Sequence, residues 1–192
     1  MENQRSYDVI IIGGSYAGLS AAMSLGRSLR NVLIIDSGLP CNRQTPHSHN
    51  FITQDGETPA AISAKAREQV SAYKTVSLVD GLAIAAKKIN NGFSVITQTG
   101  QEFESQKLII ATGIRDMMPA IKGFDACWGI SVVHCPYCHG YEIRGLRTAI
   151  IANGDKAVHL ASLVNNLTDN ITVLTSGKAS LNDEQLLKLN HH

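Results

Sequence analysis

The residues from Val9 to Asp36 restrict the fold of this chain more than any other stretch. Val9-Ile10-Ile11-Ile12 is a continuous apolar run, the pattern of a strand buried on both faces. It passes directly into Gly13-Gly14-Ser15-Tyr16-Ala17-Gly18, after which residues 19–25 predict a helix. Val32-Leu33-Ile34-Ile35-Asp36 then predicts a second buried strand ending in an acid. Strand, glycine turn, helix, strand and acid in this order form a dinucleotide-binding unit. The turn lets backbone approach a pyrophosphate, the helix N-terminus faces its charge, and the acid about twenty residues on receives the ribose. Ser15 replaces the middle glycine of the usual G-x-G-x-x-G, and its hydroxyl is small enough to keep the approach open. Asp36 favours a free ribose 2′-hydroxyl, as in FAD or NAD, over a 2′-phosphate. The competing interpretation is a tight turn in an α/β domain without a ligand.

Residues 37–56 form a long polar segment with Pro40, Cys41, Asn42, Arg43, Pro46, His47, His49 and Asp55. A loop this long in a compact domain usually has a function, and covering a cofactor fits it. Zinc fits less well, because Cys41, His47 and His49 have no second close cysteine to complete a site. Thr58-Pro59 supplies an N-cap and an N1 proline for a helix over residues 60–73. Residues 76–79, 82–85, 93–97 and 107–110 predict strands, with turns at Asn90-Asn91-Gly92 and Thr99-Gly100. The pattern is a small antiparallel meander inserted before a returning buried strand, which ends in Ala111-Thr112-Gly113.

The chemistry-bearing stretch is His134-Cys135-Pro136-Tyr137-Cys138-His139-Gly140-Tyr141-Glu142. The C-x-x-C spacing lets the two sulfurs close a small disulfide ring. A helix N-terminus or a cationic neighbour can stabilise a thiolate in such motifs, lowering its pKa from about 8.5 toward about 7. In an intracellular α/β protein this is first a dithiol/disulfide centre. Zinc through His134, Cys135, Cys138 and His139 would have too little ligand spread for a tetrahedron. A purely structural pair is out of place in a reducing compartment. Cys-Pro-Tyr-Cys also occurs in glutaredoxins, but near the start of a small thioredoxin fold rather than after a dinucleotide unit. Cys127 is read as a small buried hydrophobe.

Taken together, residues 13–18, Asp36, Ala111-Thr112-Gly113 and Cys135-x-x-Cys138 resemble the low-molecular-weight thioredoxin reductase family. Asp116, Pro119, Gly123, Trp128-Gly129 and His134 fit that family's domain crossover, and the resemblance spans nearly the whole chain. Within the family, Cys-Pro-Tyr-Cys-His-Gly-Tyr-Glu and residues 43–56 are most similar to the dithiol oxidases, which close disulfides in microbial natural products and pass the electrons to oxygen. The resemblance implies FAD, with cofactor contacts expected from Gly13, Gly14, Ser15, Tyr16, Ala17, Gly18, Asp36, His49, Ala83, Ala111, Thr112 and Gly113. It also implies that Cys138 lies nearer the flavin and makes the charge-transfer or C4a contact, while Cys135 exchanges with the substrate. His139 stands where thioredoxin reductases usually carry an acid. A neutral imidazole there can take a proton from an incoming thiol, which makes His139 the expected base and Glu142 a candidate for orienting it.

A second strand–turn–helix–strand follows at residues 148–174, with Ala152-Asn153-Gly154-Asp155-Lys156-Ala157 at the turn. Ala152 replaces the first glycine, and Thr175-Ser176-Gly177 follows the second strand without an acid for a ribose hydroxyl or an arginine pair for a 2′-phosphate. Lys178 is the nearby cation. The expectation is a retained fold with poor NADPH binding, which favours an oxidase or a reductase with another electron donor. An amphipathic helix is expected over residues 181–189, before the terminal His191-His192. Against the family's length the chain stops early, so it is expected to be truncated.

The expected fold class is therefore α/β: a Rossmann-like FAD-binding domain over residues 1–114, with a parallel sheet and inserted meander, and a partial second Rossmann-like domain over residues 115–192 that carries the redox centre. The expected function is FAD-dependent oxidation of a substrate dithiol through Cys135 and Cys138. The alternatives are a thioredoxin-disulfide reductase using NADPH or another donor, and a flavin-free non-catalytic fragment. A formal charge of +1 gives no field to attract a nucleic acid. The apolar run near the N-terminus is too short for a signal peptide or a membrane span. Four cysteines, two of them close together, do not resemble a secreted disulfide framework. These features point to a cytoplasmic protein without a metal or membrane partner. Its expected partners are a small-molecule dithiol or a protein disulfide and, from the resemblance, a second copy in a homodimer.

Overall fold

The computed structural model describes residues 6–190. His191 and His192 lie outside the described residues, as do residues 1–5. The chain divides into two compact units. One holds the residues up to His47 with Glu57–Ala126, and the other Ser48–Gly56 with the residues from Cys127 on. The boundary drawn from the sequence after residue 114 falls inside the first of these.

In the first unit, β1 (Ser6–Ile12), α1 (Tyr16–Arg27) and β2 (Val32–Asp36) arise where the apolar runs and the glycine turn put them. β1 and β2 are parallel, with Val9 beside Val32 and Ile12 beside Ile35. Side chains alternate between the faces. Val9, Ile11, Val32 and Ile34 pack with Leu19 and Ala22 of α1 and with Val70 of α2 (Pro59–Ser71). Ile10, Leu33 and Ile35 pack on the opposite face with Val95. Each buried side chain of this size contributes roughly 1.5–3 kcal/mol, which is why a strand apolar at every position is covered on both sides. At the start of α2, the Thr58 hydroxyl accepts the Ala61 N–H at 3.1 Å and Pro59 fills the first turn, as the cap chemistry predicts.

β3 (Val76–Asp80) departs from the expected meander. It pairs in parallel with β2, Val76 beside Val32, because a strand reached through a helical crossover returns in the same direction. The antiparallel meander is β4 (Ala83–Ile89), β5 (Gly92–Thr97) and the first part of β6 (Glu102–Ile110). β6 begins at Glu102 rather than residue 107, since its polar first half pairs with β5 while Glu104 onward runs parallel to β1. One six-stranded sheet results, in the order β3-β2-β1-β6-β5-β4.

A single turn, α3 (Phe124–Cys127), precedes the redox stretch. In the second unit, α4 (Pro136–His139) is also one turn, and Tyr141–Ile143 form a 3-10 turn behind it. β7 (Thr148–Ile151), α5 (Gly154–Val164) and β8 (Ile171–Leu174) build a second parallel strand–helix–strand unit, Thr148 beside Ile171. Ile150, Ala161 and Val164 are its core, and α6 (Asp183–Asn190) follows. The Gly145 N–H donates to Leu167 O at 2.8 Å, and the buried Thr168 hydroxyl donates to Leu146 O at 2.7 Å. These bonds tie the segment after the redox stretch to the loop before β8. Among the described residues, no helix is long and apolar enough to cross a membrane.

Candidate redox centre and dinucleotide cradle

The first unit contains a backbone cradle at the end of β1. A Cβ on Gly13 would lie 2.2 Å from Ala111 O, and one on Gly18 would lie 1.8 Å from Gly13 O. Gly13 also sits at φ 105°, where a side chain is strained in any surroundings. Ser15 caps α1 without a side-chain hydrogen bond, and the first turn of α1, which includes Tyr16 and Ala17, holds no acid. No carboxylate of the helix's first turn stands against its positive end, which suits an anion. The Gly14 N–H donates to Asp36 Oδ1 at 3.0 Å, and Arg67 Nη1 lies 3.5 Å from Asp36 Oδ2. Arg67 also bonds Asp80 at 2.7 Å, so it anchors the Asp36 carboxylate from the second side. This donor set fits the pyrophosphate and ribose of a dinucleotide.

The other expected cofactor contacts are placed as follows. Ala111 donates its N–H to Ile12 O at 2.8 Å and sets its carbonyl against Gly13. Thr112 and Gly113 follow as exposed backbone, with Gly113 at φ 68°. Ala83 opens β4, partly buried against the cluster of Ile10, Leu33 and Ile35. The Tyr16 hydroxyl accepts from Asn42 Nδ2 at 3.5 Å, bringing the polar loop over α1. His49 belongs to the second unit.

The corresponding turn in that unit is built differently. Asn153 Oδ1 accepts the Gly154 N–H at 2.9 Å and the Ser180 N–H at 2.8 Å, while Nδ2 donates to Lys178 O at 3.0 Å. Asp155 occupies the first turn of α5 and accepts a hydrogen bond from Gln185 Nε2. The end of α5 is thus capped by the chain's own amide, and a carboxylate already stands against its positive dipole. A nucleotide pyrophosphate would have to displace both.

The redox stretch lies wholly in the second unit. Cys135 is the N-cap of α4, Pro136 fills its first turn, and the Cys138 and His139 amides both return to Cys135 O at 3.2 Å. Gly140 lets the turn pack closely, since a Cβ there would come 2.5 Å from Leu167 Cδ1. All the described cysteines are free thiols. The hydrogen bond with Cys135, followed by burial, pushes the Cys138 thiol up to about 11. The Cys138 thiol therefore keeps its proton near physiological pH. Burial pushes His139 below the ordinary histidine range, against the upward pull of Glu142, while His134 and His49 add to the downward push. His139 is therefore a neutral acceptor near physiological pH. His134 stacks on Trp128 with ring centroids 5.6 Å apart.

His139 also sets a pH slope in stability. The unfolded chain takes up this proton first as pH falls past the ordinary value of about 6.5. The contribution is intact above that pH and is lost below it, down to the lower value at which the folded protein protonates. Urea midpoints taken from about pH 7.5 to about 5 should fall less steeply in His139→Gln than in the unsubstituted chain.

Sequence reasoning did not find Arg67, which reaches Asp36 from α2, and it named Asn153 and His49 without their partners: Asn153 staples the second turn shut, and His49 lies 3.5 Å from Glu142. The usable signals were an Asn at an N-cap position and an arginine in an amphipathic helix, neither of which names its distant partner.

Fold and sites define a class: a flavin-type dinucleotide module joined in sequence to a dithiol module. The chain belongs to the pyridine nucleotide-disulphide oxidoreductase family, which it matches over residues 7–186, and within it the chain is thioredoxin reductase-like. It is 36% identical over 192 residues to the thioredoxin reductase tcpT of Claviceps purpurea, covering 96% of this chain and 60% of that protein. It is also 36% identical over 184 residues to the thioredoxin reductase aclD of Aspergillus oryzae, covering 91% and 58%. The oxidoreductase from Agrobacterium tumefaciens superposes with a TM-score of 0.92 at 41% identity, over 97% of this chain and 63% of that one. The chain thus spans about three fifths of the length of these relatives.

Proposed function

We propose that the protein to which this chain belongs is an FAD-dependent dithiol oxidase, with Cys135 and Cys138 as the redox centre and His139 as the base. The observation that carries the reading is the placement, within one short turn, of a thiol that keeps its proton beside a neutral imidazole. A substrate thiol gives its proton to His139, and its sulfur attacks Cys135 of the oxidised pair. The S–S bond breaks and Cys138 leaves as a thiolate that recovers the proton. The second substrate thiol then attacks the mixed disulfide, so the substrate leaves as a disulfide and the enzyme retains both electrons as a dithiol. Gly13, Gly14, Gly18, Asp36 and Arg67 would hold the dinucleotide. FAD, when bound, supplies the acceptor for those electrons and hands them to oxygen or another oxidant.

The two helix N-termini differ in a way that bears on the direction of electron flow. α1 presents no acid in its first turn, whereas α5 carries Asp155 and the Asn153 cap where NADPH would place its phosphates. This supports oxidation of a small-molecule dithiol or protein thiol over NADPH-driven reduction. The printed names of the fungal relatives support the reductase as the second reading, and the resemblance supports homodimer assembly.

The test is an anaerobic absorption spectrum of the chain incubated with FAD. A flavin band that bleaches with a small dithiol, returns with air and ignores NADPH is the expected result. Bleaching by NADPH would move the assignment to the reductase. A chain that takes up no FAD would be a non-catalytic piece.

A further inference from the structure

Ser48–Gly56 is a closed loop carried by the same unit as the redox stretch. The Gly56 N–H returns to Ser48 O at 2.8 Å, and the Asn50 N–H donates to Asp55 Oδ1 at 2.8 Å. Asn50, Thr53 and Gly56 all take positive φ, so the loop doubles back on itself. Its one histidine is held between two carboxylates. His49 Nδ1 lies 3.6 Å from Asp55 Oδ1, and Nε2 lies 3.5 Å from Glu142 Oε1, at the 3-10 turn behind the C-x-x-C. These are ion-pair distances rather than hydrogen bonds. The His49 side chain is three-quarters buried and Glu142 is partly exposed.

We propose that His49 is a positioning residue for the thiol chemistry: from the closed loop it engages Glu142 on the turn behind the C-x-x-C and so sets how strongly that carboxylate acts on His139, the group that accepts the substrate proton. The inference rests on the dithiol reading proposed above for its role, but its electrostatics can be tested without turnover. The charged or chargeable groups that act on His139 are Glu142 on the 3-10 turn, His134 on the preceding segment and His49 on the loop, with Asp55 beside His49. Glu142 acts on His139 in one direction and His49 in the other. Removing His49 therefore leaves the Glu142 charge uncompensated beside the base. A base that protonates more readily is less available to a thiol near neutral pH, which is how a loop residue comes to set the working pH of the centre.

The experiment is an imidazole nitrogen NMR titration of the full chain labelled in histidine, with the His139 signal assigned by its loss in His139→Gln. In His49→Gln the His139 midpoint should rise by about half a pH unit. In Glu142→Gln it should fall. When both are changed, the effect of removing His49 should be clearly smaller than in the unsubstituted background, since the loop acts through the carboxylate. Asp55→Asn is the second variant. It keeps an oxygen for the Asn50 N–H and removes only a charge at a largely exposed side chain, and a smaller upward shift is expected. A His139 midpoint that ignores His49→Gln and Asp55→Asn, or moves equally with and without Glu142, overturns the proposal. Neither result depends on whether the chain oxidises dithiols, so failure here and failure of the oxidase assignment are separable.

Discussion

Cys138→Ser should abolish dithiol oxidation, by at least about a thousandfold, while leaving Cys135 able to form a mixed disulfide with a small disulfide probe. The reason is stoichiometric. Two electrons are stored by breaking one S–S bond, and a single cysteine has no partner to form it with. The trapped adduct on Cys135, seen by mass spectrometry, would identify the exchange sulfur. Cys135→Ser should be equally inactive but differ in one respect. The largest cause of the raised Cys138 proton affinity is its hydrogen bond to Cys135. Without that bond, Cys138 should titrate well below about 11 and alkylate faster at a given pH. If Cys135→Ser alkylates with the pH profile of the unsubstituted chain, the two sulfurs are not coupled as described. If either variant keeps its turnover, the assignment of the redox centre fails.

The second large effect is expected at Gly13. Alanine there puts Cβ 2.2 Å from Ala111 O and 2.7 Å from Ala111 C, both backbone atoms of the segment leaving β6. It also takes a φ of 105° that L-residues avoid. Neither β1 nor β6 can yield cheaply, since Ala111 N–H is bonded to Ile12 O and the two strands are paired along Ser6–Ile12. Gly13→Ala should therefore cost roughly 2–4 kcal/mol of stability, combining strain and overpacking. It should also weaken FAD binding by tenfold or more, as the approach of backbone to phosphate is lost. Gly100→Ala is the control. It also has positive φ, at 82°, but nothing lies within 4 Å of the added carbon. Its cost should be the strain alone, roughly 1–2 kcal/mol, with FAD binding unchanged. Urea unfolding and flavin fluorescence titration separate the two effects. Equal losses at Gly13 and Gly100 would mean that the clash with Ala111 is not what matters.

These predictions rest on features of unequal visibility. Asp36, Gly13 and Gly18 were legible because a dinucleotide turn uses neighbours in sequence, and the residues on either side are apolar enough to be strands in any setting. The Thr58-Pro59 cap was legible for the same reason, since its bond to Ala61 spans one turn. β6 was half hidden. Glu102-Phe103-Glu104-Ser105 has a single apolar residue, too few for a strand signal, and is strand where β5 lies beside it. β3 was found as a strand, but its neighbour was misjudged, because strand pairing depends on the crossover rather than on the residues of the strand.

At the redox stretch, the sequence by itself determined which atoms can carry electrons and protons: two sulfurs at C-x-x-C spacing and the adjacent imidazole. It also determined the two strand–turn–helix units, because apolar runs and glycine turns act over short distances along the chain. Tertiary structure decided what those groups are worth. Cys138 holds its proton because a second sulfur and burial surround it, and His139 stays neutral because burial, helped by His134 and His49, outweighs the pull of Glu142. Asn153 closes the second turn because Lys178 and Ser180 return to it, and His49 meets Glu142 because residues 48–56 pack with the second unit rather than the first. Proton affinity and charge pairing depend on distance through space and on exclusion of water, and neither quantity is written in the order of the residues.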